Sequence, residues 1–263
     1  MNAHGARVPR PSLGTMGGTD DLWEANAAWW IEGFTDGADP EYEEQILPMA
    51  AREMSGARSV LDIGCGDGQI SRLAHRLGVP RVVGIDPTWN QLKVASERAG
   101  GVHYVRSGAA DLPFGSSEFD LVVACLVFEH IQEVDAAIAE VARVLEVGGR
   151  FCFFLNHPLL QTPGSGWIDD QILDPPEQYW RIGPYLVEEE SNQEVEKDVF
   201  IPFIHRPLSR YLNTLARHGL FLELMEEPAP PPGFLARAAE YEAAATIPRL
   251  LYLRLTRRDD EVA

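Results

Sequence analysis

From residue 58 to about 155 the chain alternates short apolar runs with stretches of helical period. The runs are SVLDIG (59–64), RVVGID (81–86), VHYVRS (102–107), FDLVVACLV (119–127) and RFCFFLN (150–156). Strands that are apolar throughout need cover on both faces, which a parallel sheet between two helical layers provides. The intervening stretches 69–78, 88–100 and 135–149 read as helices, the last closing at Gly148–Gly149. A helix over 207–219 and two further strands, LFLELMEE (220–227) and RLLYLRLTR (249–257), follow later. The Pro-rich excursion PAPPPGF and the alanine-rich 235–245 join those strands, which points to an antiparallel hairpin at one sheet edge. The expected architecture is α/β: a doubly wound, Rossmann-like, mostly parallel sheet of seven strands with helices on both faces.

The flanks divide the rest of the chain. Residues 1–20 are rich in Gly, Pro and Ser and are expected to be disordered. Residues 21–57 form an N-terminal lid, with Trp29, Trp30 and Phe34, and then an amphipathic helix after Pro40 carrying Tyr42, Ile46, Met49 and Ala50. The core is 58–156. Residues 157–206 interrupt the rhythm with prolines, the aromatics Trp167, Tyr179, Trp180, Tyr185, Phe200 and Phe203, and the acidic run 188–198. A long segment of this composition is expected to be an ordered, functional cap. Residues 207–263 complete the core.

Composition excludes several partners. A formal charge of −18 without a dense Lys/Arg cluster argues against nucleic acid and against anionic membrane surfaces. The longest apolar run, LVVACLVF, is too short to span a bilayer, and the amino terminus has no signal-peptide pattern. Cys65, Cys125 and Cys152 have no metal-ligand spacing and read as buried thiols of a cytoplasmic protein. No H-E-x-x-H or comparable metal pattern occurs, so no metal is expected.

The first strand runs into VLDIGCGDGQ (60–69). A dinucleotide loop has the spacing G-x-G-x-x-G and rests a pyrophosphate on the next helix. Here Gly64, Gly66 and Gly68 alternate, and Gln69 stands where the third glycine belongs. Asp62 and Asp67 flank the turn. Two carboxylates beside a pyrophosphate would cost on the order of several kcal/mol. The ammonium and sulfonium of S-adenosylmethionine (SAM) would instead be attracted. Asp86 ends the second strand, where a carboxylate accepts hydrogen bonds from ribose hydroxyls in any adenosine ligand.

These residues, with LPFGSSEFDLVVACLVFEHI and VARVLEVGGRFCFF, make the chain resemble the class I SAM-dependent methyltransferases of type 11, the ubiquinone/menaquinone-methyltransferase-like group. The resemblance covers the cofactor half, residues 58 to about 155. It implies that Asp62, Gly64 and Gly66 line the methionine end, with Asp86 at the ribose; Cys65 and Pro87 are expected to bind the cofactor beside them. One departure is Gly108, where the family usually has an acidic residue facing adenine; the backbone of Ala109 and Ala110 is expected to do that work. Cys125 and Leu126 should face the sulfur. The implied cofactor is SAM, leaving as S-adenosylhomocysteine (SAH).

Methyl transfer is an in-line displacement in which positioning supplies much of the rate, so no catalytic residue is obligatory. His157, just after the fifth strand, and His130, in FEHI, are the candidates for proton transfer. A structural role is the rival reading for each. Glu129 reads as a helix-start carboxylate and His205 as a cap before Pro207; His75, His103 and His218 carry no functional expectation. The cap aromatics point to a flat or apolar small-molecule acceptor. The acidic run is either a solvated surface or a lure for cationic acceptors. Rival functions are a methyltransferase acting on a peptide or protein, a non-catalytic SAM-binding protein, and an NAD oxidoreductase, the last disfavoured by the loop.

Overall fold

Two helices, α1 (Thr19–Phe34) and α2 (Leu47–Met54), precede the sheet, and α2 continues from a π-helical turn over Tyr42–Ile46. This is a computed structural model, and it describes residues 19–98 and 100–259. Residues 1–18 of the segment expected to be disordered lie outside the described residues. The apolar runs form β1 (Ser59–Ile63), β2 (Arg81–Asp86), β3 (His103–Arg106), β4 (Phe119–Cys125) and β5 (Leu145–Asn156). Between them lie α3 (Gln69–Arg76), α4 (Trp89–Arg98) and α5 (Val134–Val144). The inserted segment folds as two antiparallel hairpins, β6 (Gly166–Asp170) with β7 (Glu177–Arg181) and β8 (Glu189–Glu196) with β9 (Val199–His205). The chain closes with α6 (Leu208–Arg217), β10 (Leu220–Glu226), α7 (Pro232–Arg237), a 3-10 turn over Glu242–Thr246 and β11 (Leu250–Arg257).

One seven-stranded sheet results, in the order β10-β11-β5-β4-β1-β2-β3. Only the pairings of β11, to β10 and to β5, are antiparallel. Alternate residues of each strand serve opposite faces, as the pleat requires. Leu61, Ile63, Val122, Ala124, Phe151 and Phe153 pack with Ile138 and Val141 of α5 and Tyr211 and Leu215 of α6. Val60, Leu121, Val123, Cys152 and Phe154 pack on the other side with Ile46, Met54, Ile70 and Ala74. Because both faces are covered, β1 is buried at every residue.

The strand order reverses at β1, which has β2 on one side and β4 on the other. A crevice opens beyond the carboxyl ends of strands at such a switch point, and open α/β sheets bind ligands there.

Two boundaries differ from expectation. The helix read as ending at Gly148–Gly149 stops at Val144, and the strand begins at Leu145. Leu145 and its partner Phe119 are both fully buried, so pairing with β4 overrides the helical period. The glycine pair sits in the irregular opening of that strand, where Gly148 takes a φ of +77°. Helix α1 was not read as a helix at all; among its described residues only Ala27 is buried, so it has little amphipathic signature.

Candidate functional site

The glycine loop is shaped by packing as well as by turn geometry. Gly64 has a φ of +66°, and a Cβ there would stand 2.4 Å from a methyl of Val127. Only glycine lets β1 end this close to the segment after β4. Asp86 Oδ2 accepts from the Gly66 amide at 2.9 Å, and Oδ1 accepts from Thr88 N–H at 2.8 Å. One carboxylate thus fastens the loop to the end of β2 and shapes the approach to α4.

A cavity of about 590 Å³ lies over these strand ends, within the range that small-molecule sites occupy. Asp62, Gly64, Cys65, Gly66, Asp86, Pro87, Ala109, Ala110 and Cys125 all line it. Leu126 and Gly108 also lie in its wall. Asp62 is buried, accepts a 2.6 Å hydrogen bond from Ser71 Oγ, and is pushed up to about 7 by burial. Burial likewise raises the Cys65 and Cys125 thiols, so both stay protonated. The Cys125 thiol donates to Tyr42 Oη at 3.7 Å.

Asp67 corrects part of the charge argument. It lines the cavity, but its carboxylate is paired with Arg72 of α3 at 3.3 Å and with Arg98 of α4. Its charge is spent on locking two helices beneath the loop. Asp62, by contrast, has no arginine beside it among the described residues.

A second, smaller chamber of about 220 Å³ adjoins the first. Trp23, Trp30, Tyr42, Leu126 and His130 line both. Leu126 holds a φ of +56°, an unfavourable conformation for a branched side chain. Its amide donates to Phe154 O at 3.0 Å, which fixes the strained residue at the junction. The outer wall is Trp29 and Phe34 of α1 and Phe203 of β9, with Asp39, Glu41, Asn156, Gln161 and Arg249 among its polar groups. Helix α1 is pinned at two places. Glu24 accepts from the amides of Trp89 and Asn90, and Trp29 Nε1 donates to Glu196 at 2.7 Å.

The two candidate histidines part company. His130 stands between the edges of Trp23 and Phe203, with ring centres 4.9 and 4.6 Å away, where α1 and the cap meet. Its Nδ1 lies 2.6 Å from Pro202 O, a carbonyl that can only accept, so Nδ1 carries the proton and Nε2 the lone pair. Burial lowers its pKa to about 4, which keeps the ring neutral. His157 lines neither chamber. Its Nε2 meets Glu227 at 2.7 Å and its Nδ1 accepts from Leu159 N–H, so the structure places it in a loop-holding role.

Other expectations shift in the same way. Of the six cap aromatics, only Phe203 reaches a chamber. Trp167, Trp180 and Tyr241 pack on one another, and Tyr185 receives the Leu208 amide. Glu129 lies in the first turn of a short 3-10 helix over Phe128–His130, where it is buried and its Oε1 accepts from both the backbone and side-chain nitrogens of Asn156. His205 is buried and donates from Nε2 to Tyr185 O. Trp23, Tyr42 and Gln91 are wall residues that the sequence reading missed. A tryptophan in a helix with little amphipathic signature, or a tyrosine read as helix core, gives no sign of a ligand.

Residues 61–153 match the family model described as methyltransferase domain. These residues are thus a methyltransferase domain of type 11. The chain is 34% identical over 147 residues to the demethylmenaquinone methyltransferase of Thermobifida fusca, covering 50% of this chain and 62% of that protein. It is 36% identical over 106 residues to the ubiquinone biosynthesis O-methyltransferase of Rhizobium etli, covering 39% and 42%. The chain thus spans less than two thirds of the length of these curated relatives. A SAM-dependent methyltransferase from Mesorhizobium loti has the same fold, with a TM-score of 0.68 and 28% identity over 80% of this chain and 96% of that one.

The residues of this methyltransferase domain suit SAM. A Cβ built on Gly66 would project into the cavity, 3.8 Å from both Gln91 Oε1 and Trp30 Nε1. Gln91 is buried, and its Oε1 has no hydrogen-bond partner among the described residues. The wall therefore offers bare backbone, an unused acceptor oxygen and two carboxylates, groups that suit a cationic adenosine ligand. Among the described residues no group of three or more His, Cys, Asp or Glu side chains gathers as a metal site, and no helix is long and apolar enough to cross a membrane.

Proposed function

We propose that the protein transfers the methyl group of SAM to an oxygen, nitrogen or carbon of a small molecule held in the second chamber. The observation that carries this reading is the wall shared by the two chambers, Trp23, Trp30, Tyr42, Leu126 and His130. It brings a cofactor-sized cavity and an aromatic one to a common junction. That arrangement supports a catalyst over a SAM-binding scaffold.

Asp86 would accept from the ribose, Ala109 and Ala110 would flank adenine, and Asp62 with the bare Gly64–Gly66 backbone would take the amino-acid end. When bound, SAM supplies an activated methyl: the acceptor lone pair forms the new bond to carbon while the C–S bond breaks and sulfur keeps its pair. Leu126 and Tyr42 set the approach at the junction and keep it dry, which favours a positioned displacement. His130 Nε2 offers a hydrogen-bond acceptor to a hydroxyl or amine there. A ring held at about 4 is too weak to ionise an alcohol beforehand, but it can take the proton as the attacking atom becomes acidic.

Calorimetric titration with SAM, SAH and NAD tests the cofactor half. Both sulfur ligands should bind and NAD should not; the reverse pattern would overturn the reading. Mass-spectrometric screening of small aromatic acceptors with SAM tests the transfer itself.

A pH dependence follows from Asp62. Its carboxyl is held at about 7 by burial, so near neutrality the free protein carries a proton there part of the time. A cation bound alongside favours the ionised form, so binding releases that proton. SAM affinity should rise as pH increases from 6 to about 7.5 and level off above, with release of roughly half a proton at pH 7. Calorimetry in buffers of different ionisation enthalpy measures the release. Asp62→Asn should remove it, and an unchanged slope in that variant would place the titrating group elsewhere.

A further inference from the structure

The second chamber holds an aromatic box with a surplus of negative charge. Arg249 Nε meets Glu41 Oε1 at 2.9 Å, and its guanidinium lies 4.1 Å from the centre of the Phe234 ring. That cation and that anion satisfy each other. Asp39, the other charged group in the wall, has no ion-pair partner among the described residues; its Oδ1 accepts from the Glu41 amide at 2.8 Å. Arg237 and Arg249 are the cations near enough to act on it through space. The same wall holds the rings of Trp23, Trp29, Trp30, Phe34 and Phe203, and aromatic π faces attract cations. His130, kept neutral, adds no opposing charge.

A separate observation lies outside the box. Val195 of β8 reaches its wall, flanked by Glu194 and Glu196, and Trp29 Nε1 is bonded to Glu196. Residues 188–198 hold six acidic side chains and one lysine. The hairpin is fixed onto α1 by Asn26 Nδ2, which donates to Phe200 O at 2.9 Å. An acidic rim beside a low-dielectric opening raises the local concentration of cations and speeds their arrival.

We propose that the acceptor is a small aromatic amine bound as its ammonium, with the nitrogen against Asp39 and the ring among the tryptophans. This deepens the reading of the second chamber as the acceptor site and rests on it. A chamber of about 220 Å³ has room for one ring with a short arm. Asp39 and Glu41 line only this chamber, so the ammonium end lies off the junction and the other end of the molecule faces His130 and Leu126. Burial raises the Asp39 carboxyl above its ordinary range, a cost that a bound cation relieves. A carboxylate-bearing acceptor would have to break the Arg249–Glu41 pair and then face Asp39.

The test uses the full chain saturated with SAH and three probes that share one ring: tyramine, 4-ethylphenol and 3-(4-hydroxyphenyl)propionate. Calorimetry should show tyramine binding about tenfold or more tighter than 4-ethylphenol, with the carboxylate weakest. Asp39→Asn keeps an acceptor for the Glu41 amide; it should bring tyramine to within about threefold of 4-ethylphenol and leave the latter unchanged. If 4-ethylphenol matches tyramine, or the preference survives Asp39→Asn, the amine inference falls and the acceptor chamber stands. If no probe binds, or Phe203→Ala weakens none of them, the acceptor reading itself falls and takes the inference with it.

Discussion

Asp86→Ala is expected to weaken SAM binding about a hundredfold, close to 2.7 kcal/mol. The carboxylate joins two structures that a cofactor must find already in place. Its Oδ2 holds the Gly66 amide at 2.9 Å, and its Oδ1 holds the Thr88 amide at 2.8 Å. Hydrogen bonds to an ionised group contribute about 1.5–3 kcal/mol each. Alanine therefore loosens the glycine loop and removes the ribose acceptor in one step. The conservative variant separates the two effects. Asp86→Asn keeps one oxygen to accept from a backbone amide but loses the charge, so a loss of about tenfold is expected. Calorimetric affinity, read beside the melting temperature, checks both. If Asp86→Ala binds SAM within threefold of the unaltered protein, the ribose does not sit at the end of β2.

The reason Asp86 can be named from sequence is that its role is local. It ends an apolar run at a fixed distance from a glycine turn, and open α/β sheets bind ligands over strand ends. For the same reason each cofactor residue expected from the sequence lies in the first cavity. Asp67 shows the limit. It is as acidic and as close to the loop as Asp62, yet Arg72 and Arg98 neutralise it, and Arg98 is 31 residues away on another helix. No spacing rule announces that pairing.

The second chamber was less legible for a related reason. It is assembled from Trp23 and Trp30 of α1, Tyr42 of the π-helical turn, Phe203 of β9 and Arg249 before β11, segments that meet only in the folded chain. The hairpin that supplies Phe203 carries EESNQEVE in one strand, mostly exposed on both faces, so it lacks the alternation by which a half-buried strand is recognised. His157 lines neither chamber although it follows a central strand. The adjoining Glu227 captures its ring before it can face the crevice.

The other large effect is expected at Arg206, a residue to which the sequence reading gave no role. It lies between β9 and α6, is 4% exposed, and acts as a clamp on the segment that carries His130. Its guanidinium donates to Phe128 O at 3.1 Å, Ile131 O at 2.7 Å and Gln132 O at 3.1 Å. It is also the positive charge that offsets Glu129, whose buried carboxyl has one oxygen without a partner among the described residues. Arg206→Leu would leave the Ile131 carbonyl without this donor, Phe128 O and Gln132 O with only the amides of Ile131 and Val134, and a buried carboxyl without its cation. The expected cost is about 3–5 kcal/mol. For a domain of this size that lowers the melting temperature by roughly 6–15 °C. Arg206→Lys keeps the charge but cannot span three carbonyls with a planar fork, so an intermediate loss is expected. The damage should also be uneven across the site. Asp62, Asp86 and the glycine loop hang from β1 and β2 and do not depend on the clamp, whereas the His130 turn closes the junction with the second chamber. At temperatures where the variant remains folded, SAH affinity should therefore fall less than affinity for an acceptor probe. Equal losses of both, or a melting temperature that does not move, would mean that the 128–132 segment is held by its packing against Phe153 and Phe203 and not by Arg206.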